Sequence, residues 1–129
     1  MESRKNLIET LLRDDLLRLE DIHAVMVAAK NLEGGIGPIV QPEYDSQLRG
    51  IWDALEKTMN EFFRVIEHYS AYGLDKIYFE LGEYDVIFFI FPDTDTALVA
   101  IVPALANRGL LEVELENARR RILDIMNME

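Results

Sequence analysis

The fold is decided by one run of the sequence, which reads KIYFELGEYDVIFFIFPDTDTALVAIV at positions 76–102. Its first segment, Lys76–Gly82, alternates between apolar and polar residues, which is typical of a strand with one solvated face. The later segments Asp85–Phe91 and Thr96–Val102 carry apolar residues at successive positions, so each strand has apolar side chains on both faces. Both faces must therefore be covered by other parts of the protein. The run therefore predicts three strands, with the last two inside a sheet that carries helices on both sides.

The residues before this run predict a helix and a hairpin. Ser3–Leu19 has apolar residues at helical spacing, with Asp14-Asp15 as a candidate break in the helix. His23–Ala29 and Ile36–Val40 are short apolar strands. Because Pro38 has no backbone N–H to donate, the second of these strands is predicted to lie at an edge of the sheet.

A turn and two further helices complete the chain. The turn Asn31–Gly35 is expected to use positive φ at its two glycines. A long helix is predicted over Asp45–Ser70, and a last helix begins after Asn107 and runs to about Asn127. The predicted fold class is α/β, a single domain over residues 1–129 with the order α-β-β-α-β-β-β-α. Its five-stranded, mostly antiparallel sheet is sandwiched between helices.

The composition argues against several classes of function. The chain of 129 residues has 13 Lys and Arg against 24 Asp and Glu, which gives a net charge of −11. Nucleic acids are bound by clustered Lys and Arg, and the cluster Arg119–Arg121 lies late in a predicted helix, where cations suit the helix dipole. There is no cysteine and no apolar run long enough to span a bilayer. We expect a cytoplasmic protein without nucleic-acid binding or membrane insertion.

The long central helix carries a heptad-like apolar stripe that is wider than one core face requires. The widening comes from Ile51, Phe63 and Val65. Two interpretations stay open: a single wide core face, or a helix that also packs on its own copy across a two-fold axis. The stripe itself consists of Leu48, Trp52, Leu55, Met59, Phe62 and Ile66.

The strand after this helix favours the dimer, because it has the length and alternation of an edge strand. If it paired antiparallel with its own copy about Tyr78, Lys76 of one copy would lie opposite Glu80 of the other. The predicted dimer contacts are Leu48, Trp52, Leu55, Met59, Phe62, Lys76, Tyr78, Phe79 and Glu80.

The order of elements resembles that of the Roadblock/dynein light chain domain family, a profilin- and longin-like α/β sandwich. The clearest stretch is Thr96–Ile122, TALVAIVPALANRGLLEVELENARRRI, with an apolar last strand, an Asn-x-Gly step and an amphipathic helix. Ile22–Ala29 resembles the first strand of the family. The first hairpin departs from the pattern, since the family often has an Asp-Gly turn where this chain has Asn31–Gly35.

The resemblance implies a non-catalytic homodimer that regulates or adapts a small Ras-like GTPase. In bacterial and archaeal relatives the exposed surface of the paired central helices often takes the GTPase. Two alternatives stay open, namely a structural light-chain or scaffold subunit and a small-ligand sensor, which would need an internal cavity. By analogy the GTPase contacts on this chain would be Gln47, Arg49, Gly50, Asp53, Glu56, Lys57, Asn60 and Arg64.

No motif in the sequence points to catalytic chemistry. His23 and His68 are far apart along the chain and are expected to be structural residues. Arg49 and Arg108 invite comparison with an arginine finger, but a solvated Arg at a helix surface is the favoured interpretation. We predict no catalytic residue, no cofactor and no metal site.

Overall fold

A computed structural model of the chain describes residues 3–29, 35–92, 94 and 96–127. A short π-helical segment, Leu12–Leu16, follows the first helix directly. The helices are α1 (Arg4–Leu11), α2 (Asp45–Tyr69) and α3 (Arg108–Met126), and the strands are β1 (Ala24–Ala29), β2 (Ile36–Val40), β3 (Lys76–Leu81), β4 (Tyr84–Ile90) and β5 (Thr96–Pro103).

The strands of the described residues form one five-stranded sheet in the order β2-β1-β5-β4-β3. Every neighbouring pair is antiparallel, so the predicted fold class is confirmed. The strand with Pro38 lies at one edge, as the proline predicted, and β3 lies at the other. The two strands that are apolar on both faces, β4 and β5, lie side by side inside the sheet.

Helices cover both faces of the sheet, as the apolar strands require. On β4, Val86, Phe88 and Ile90 belong to the same buried cluster as α2. The alternate residues Ile87 and Phe89 belong to a second cluster, which α1, the π-helical segment and α3 complete. Two-sided burial of the strand is therefore confirmed at the level of individual side chains.

The first helix ends earlier than the sequence predicted. The candidate break at Asp14-Asp15 falls inside the π-helical segment, which ends at Leu16 rather than continuing to Leu19. The chain then turns back toward β1, and the side-chain amide of Gln41 donates to the carbonyl oxygens of three residues in this connection. Those acceptors are Leu17, Leu19 and Ile22, at 3.3, 3.2 and 2.8 Å.

Gly35 serves close packing rather than the positive φ that was predicted for it, since Gly73 and Gly82 are the described glycines with positive φ. A Cβ atom at Gly35 would lie 2.9 Å from the carbonyl oxygen of Val27, closer than real Cβ contacts come. The rest of that predicted turn, residues 31–34, lies outside the described residues.

Arg119 is the residue that the sequence interpretation missed. Its helical position between Leu115 and Ile122 puts it beside the core stripe of α3, and it is only 9% exposed. The guanidinium donates to the Asp75 carboxylate at 2.6 Å and to the Ile90 carbonyl oxygen at 3.1 Å. This contact ties the residue before β3 to the end of β4 and to α3, so it fixes the start of the edge strand.

Replacement of Phe88 by Ala tests the two-sided core. We expect Phe88→Ala to lower the free energy of unfolding by about 3–5 kcal/mol, because the ring is 0% exposed and its removal leaves a cavity. Denaturant unfolding measures the change. The matched control is Leu105→Ala, since Leu105 is 99% exposed. A cost below about 1 kcal/mol for Phe88→Ala would contradict burial on both faces.

Candidate protein-interaction surface on α2 and β3

The central stripe of α2 faces the sheet of its own chain. Leu48, Trp52, Leu55 and Met59 are 0%, 5%, 3% and 3% exposed and share one buried cluster with β1, β4 and β5. They were predicted to contact a second copy, and their burial corrects that part of the prediction. A side chain that the sheet already covers has no surface left for a partner.

A second apolar stripe runs along the side of α2 that faces β3. The ring of Phe62 stacks on that of Phe79 of β3 with 5.4 Å between centroids, which shows that this side of α2 faces β3. Val65 and Tyr69 on the same side are 45% and 55% exposed. The stripe repeats at intervals of three, four and seven residues, so its members share one side of the helix. We call it the α2 flank, and it consists of the apolar residues Ile51, Phe62, Val65 and Tyr69 together with one threonine, Thr58.

The edge strand β3 continues this apolar side. Its Phe79 and Ile77 are partly buried against the α2 layer, while its outer edge has no strand partner among the described residues. A strand edge with unpaired N–H and C=O groups is a template for pairing with another strand. The α2 flank and the β3 edge therefore form one continuous surface.

Tyr78 lies on the opposite face of β3, toward α3. Its hydroxyl donates to the Glu112 carboxylate, and the Arg108 guanidinium lies 5.8 Å from the ring centroid. Burial first, and then the hydrogen bond to Glu112, raise the pKa of Tyr78 to about 12. The residue stays neutral at physiological pH and links the edge strand to α3.

The outer face of α2 is polar and exposed. All eight positions assigned by resemblance to the GTPase are exposed. Gln47 contacts Tyr84 of β4, and Glu56 lines a cleft with β1 and β2, so these two lie at the borders of the face. Arg49 pairs with Asp45 at 2.7 Å along the helix, and the Tyr84 hydroxyl donates to Gln47 Oε1 at 2.7 Å. We call this the α2 outer face, and it consists of Gln47, Arg49, Gly50, Asp53, Glu56, Lys57, Asn60 and Arg64.

Arg108, one of the two residues compared with an arginine finger, is engaged within the chain. Its guanidinium pairs with the carboxylate of Asp85, whose side chain is 4% exposed against 44% for Arg108. An Arg that neutralises a buried carboxylate stabilises the fold, because its loss would leave that charge unpaired. This placement gives Arg108 a structural partner at the junction of β4 and α3.

Neither a metal centre nor an enclosed ligand site stands out in the described residues. No group of three or more His, Cys, Asp or Glu among them could hold a metal ion. A cleft of about 350 Å³ opens at the end of α2, between Phe63, Leu74 and Phe91. An internal ligand cavity would leave space beside core residues such as Phe88 and Ile101, and both are 0% exposed.

No helix among the described residues is both long and apolar enough to cross a membrane.

His23 lies beneath the start of α2. Its ring stacks on Tyr44 with 3.6 Å between centroids and meets Tyr84 edge-on at 5.9 Å. It is 7% exposed, and its Nδ1 atom has no hydrogen-bond partner. Burial lowers the pKa of His23, and the carboxylates of Asp21 and Glu43 oppose that shift.

This environment predicts a dependence of stability on pH. The unfolded chain takes up a proton on His23 near pH 6.5, whereas the folded chain binds it at lower pH. The free energy of unfolding is therefore unaffected above that value and falls as the pH drops below it. We expect His23→Phe, which keeps a ring on Tyr44, to reduce the loss between about pH 7.5 and 5.5.

The control for this experiment is His68→Gln, because His68 is exposed on α2. Unfolding curves of the two variants and the unchanged chain are compared at each pH. Equal pH dependence in all three would contradict a buried, neutral His23.

The fold is a Roadblock-like α/β sandwich, and solved structures share it. MglC from Myxococcus xanthus matches with a TM-score of 0.65 and 16% identity, over 91% of this chain and 97% of that one. Myxococcus xanthus MglB matches with a TM-score of 0.67 and 16% identity, over 95% and 87%. The gliding protein MglB of Thermus thermophilus matches with a TM-score of 0.61 and 9% identity, over 97% and 92%.

These similarities concern the fold, because the identities are low. They confirm the Roadblock-like architecture that the sequence predicted over most of the chain. The sequence matches no protein-family model and no curated protein.

Proposed function

We propose that this chain forms a two-fold dimer through the α2 flank and the β3 edge, and that the dimer is a non-catalytic regulator or adaptor of a small Ras-like GTPase in the cytoplasm. The observation that carries the proposal is the half-exposed apolar flank of α2, continuous with an open strand edge. The polar outer face of α2 lies beside that surface and supplies the partner site.

The two edges of the sheet differ in a way that supports pairing through β3. β2 contains Pro38, which cannot donate a hydrogen bond, and its pairing with β1 is irregular between Val25 and Val27. β3 has no proline and pairs with β4 in unbroken register from Lys76 to Leu81. A regular strand without proline is the better template for a second strand.

Charges along β3 support an antiparallel register. If the copies meet about Tyr78, Lys76 of one copy lies opposite Glu80 of the other, and opposite charges at facing positions stabilise a strand pair. In the single chain, Lys76 lies 4.0 Å from the carboxylate of Asp75 and 5.4 Å from the Phe89 ring centroid. Both contacts are local, which leaves Lys76 able to reorient toward a facing carboxylate.

The pairing would set two α2 helices side by side on one face of a joined sheet. The α2 flanks would then meet at the two-fold axis, and the α2 outer faces would form one composite surface. This is the surface that the Roadblock resemblance associates with a GTPase. Its cations Lys57 and Arg64 and its anions Asp53 and Glu56 lie at exposed positions. Such groups favour orientation and selectivity more than raw affinity.

A charge placed in the α2 flank tests the dimer. We expect Val65→Lys to give folded monomers, because Val65 is 45% exposed in the single chain and would be buried between copies. Sedimentation velocity measures the mass. The matched control is Leu110→Lys, since Leu110 is another half-exposed apolar residue in a helix, at 58%, and is not among the residues that line a cleft with Lys76 of β3. Monomers for both variants, or dimers for both, would contradict the assigned surface.

A pull-down tests the GTPase. With the chain as bait in lysate containing a GTP analogue or GDP, we expect a Ras-like GTPase to be captured in one nucleotide state. Lys57→Glu combined with Arg64→Glu should weaken capture about tenfold or more while the dimer persists. The control is Arg120→Glu, which changes an exposed Arg of α3.

The pull-down also separates the proposal from the alternatives. A protein partner captured equally in both nucleotide states would favour a scaffold subunit. Capture of no GTPase in either state would contradict the regulatory role, whatever the oligomeric state of the chain.

A further inference from the structure

The amino-terminal end of α2 has no capping side chain. The single 3₁₀ turn Pro42–Tyr44 leads directly into the helix, and Tyr44 makes no side-chain hydrogen bond to the first-turn N–H groups. A helix end without a cap is less stable than a capped one, because its first N–H groups have no side-chain acceptor. The start of α2 therefore depends on contacts with the rest of the chain.

Three rings from three parts of the chain supply these contacts. The ring of His23, just before β1, lies parallel to that of Tyr44, with 7° between planes and 3.6 Å between centroids. Tyr84, the first residue of β4, meets His23 edge-on at 5.9 Å. Its hydroxyl donates to Gln47 Oε1 in the first turn of α2 at 2.7 Å. We call His23, Tyr44, Tyr84 and Gln47 the α2 clasp.

The backbone of His23 is fixed within the sheet. Its N–H donates to the Ile101 carbonyl oxygen at 3.0 Å, and its carbonyl oxygen accepts from the Gln41 N–H at 2.9 Å. A change of charge on His23 therefore acts through the side chain, and so through the contacts of the α2 clasp.

The His23 ring is suited to the neutral state. It is 7% exposed, and its Nδ1 atom is buried without a hydrogen-bond partner. Protonation makes both ring nitrogens donors, and a buried donor without an acceptor is destabilising. The added proton therefore works against the closed arrangement, in the same direction as the lowering of the His23 pKa by burial.

The charged groups that act on His23 are carboxylates. Asp21, two residues before it, and Glu43, in the 3₁₀ turn, both attract a positive ring and both lie at exposed positions. The other titratable groups against the ring are the hydroxyls of Tyr44 and Tyr84, which stay neutral near pH 6. An imidazolium is therefore drawn outward to the two carboxylates, away from the stack on Tyr44.

We propose that the α2 clasp is a proton-operated switch, in which uptake of a proton by His23 opens the stack on Tyr44, loosens the Tyr84 contact with Gln47 and frees the first turn of α2. The remainder of the helix stays on the sheet. Its buried stripe from Leu48 to Ile66 packs on the strands without any member of the clasp between them.

The consequence for a partner rests on the proposed function, because Gln47 lies at the border of the α2 outer face. A partner that needs an ordered first turn binds the closed clasp, so its affinity falls as the pH drops through the titration of His23. Since one proton is taken up, the fall is at most about tenfold per pH unit. The switch itself requires no partner and is tested on the chain alone.

The test follows the resonances of the purified chain by nuclear magnetic resonance between about pH 7.5 and 5.5. The ring resonances of His23 give the midpoint of its titration. We expect the backbone amides of Gln47 and Leu48 to shift with that same midpoint. Amides inside α3, such as that of Leu115, should not move with it.

Three variants assign the shift. His23→Phe keeps a ring on Tyr44 and leaves Glu43 to titrate, so it should abolish the shift of Gln47. Tyr84→Phe keeps the ring but removes the hydroxyl that donates to Gln47, so His23 should still titrate while the response of Gln47 shrinks. His68→Gln is the matched control, since it removes the exposed histidine of α2 and should change neither response.

Three results would overturn the switch. A shift of Gln47 that survives in His23→Phe would belong to a carboxylate such as Glu43. Titration of His23 with no change at Gln47 or Leu48 would mean that the charged ring stays on the face of Tyr44. Movement of α3 amides with the same midpoint would show a change of the whole fold. A failed pull-down with the expected titration would remove the GTPase and leave the switch.

Discussion

The structure depends on two neighbouring strands that are apolar on both faces. β4 and β5 can only be stable inside the sheet with a helical layer on each side, because exposure of either face would leave a row of large apolar side chains in water. This requirement places α2 on one face and α1 with α3 on the other. It also sends β2 and β3 to the edges, and so it determines which strand can meet another molecule.

The two edge strands differ in their ability to pair with another strand. Pro38 removes a hydrogen-bond donor from the β2 edge. The β3 edge is held at its start by the contact of Arg119 with Asp75, and on its α3 face by the hydrogen bond of Tyr78 to Glu112. An anchored edge strand holds its backbone groups in a fixed plane, which lowers the entropy lost when a second strand is added. Pre-organisation at β3 and apolar exposure on the adjacent α2 flank therefore support the same interface.

The sequence was sufficient to predict the sheet and its two helical layers. It was not sufficient to predict which apolar stripe of α2 is buried against the sheet. Strand alternation, Pro38 and the Asn107 cap predicted the sheet edges and the helix starts, since these are local effects. The burial of Trp52 and the exposure of Val65 depend on how α2 is rotated on the sheet, and both positions carry apolar residues. Arg119 was missed because its charge suggested solvent, although its spacing from Leu115 and Ile122 placed it beside the core.

The most direct test of the central claim, the pairing of two β3 strands about Tyr78, uses the absence of cysteine from this chain. A single Tyr78→Cys substitution would bring two thiols to facing positions in the proposed pair, within reach of a disulfide. Leu81→Cys is the control, because Leu81 is as exposed as Tyr78, at 42% against 40%, yet would lie far from its own copy. Rapid disulfide dimers from Tyr78→Cys alone are the expected result under mild oxidation. Equal cross-linking of both variants, or none from Tyr78→Cys, would contradict the pairing.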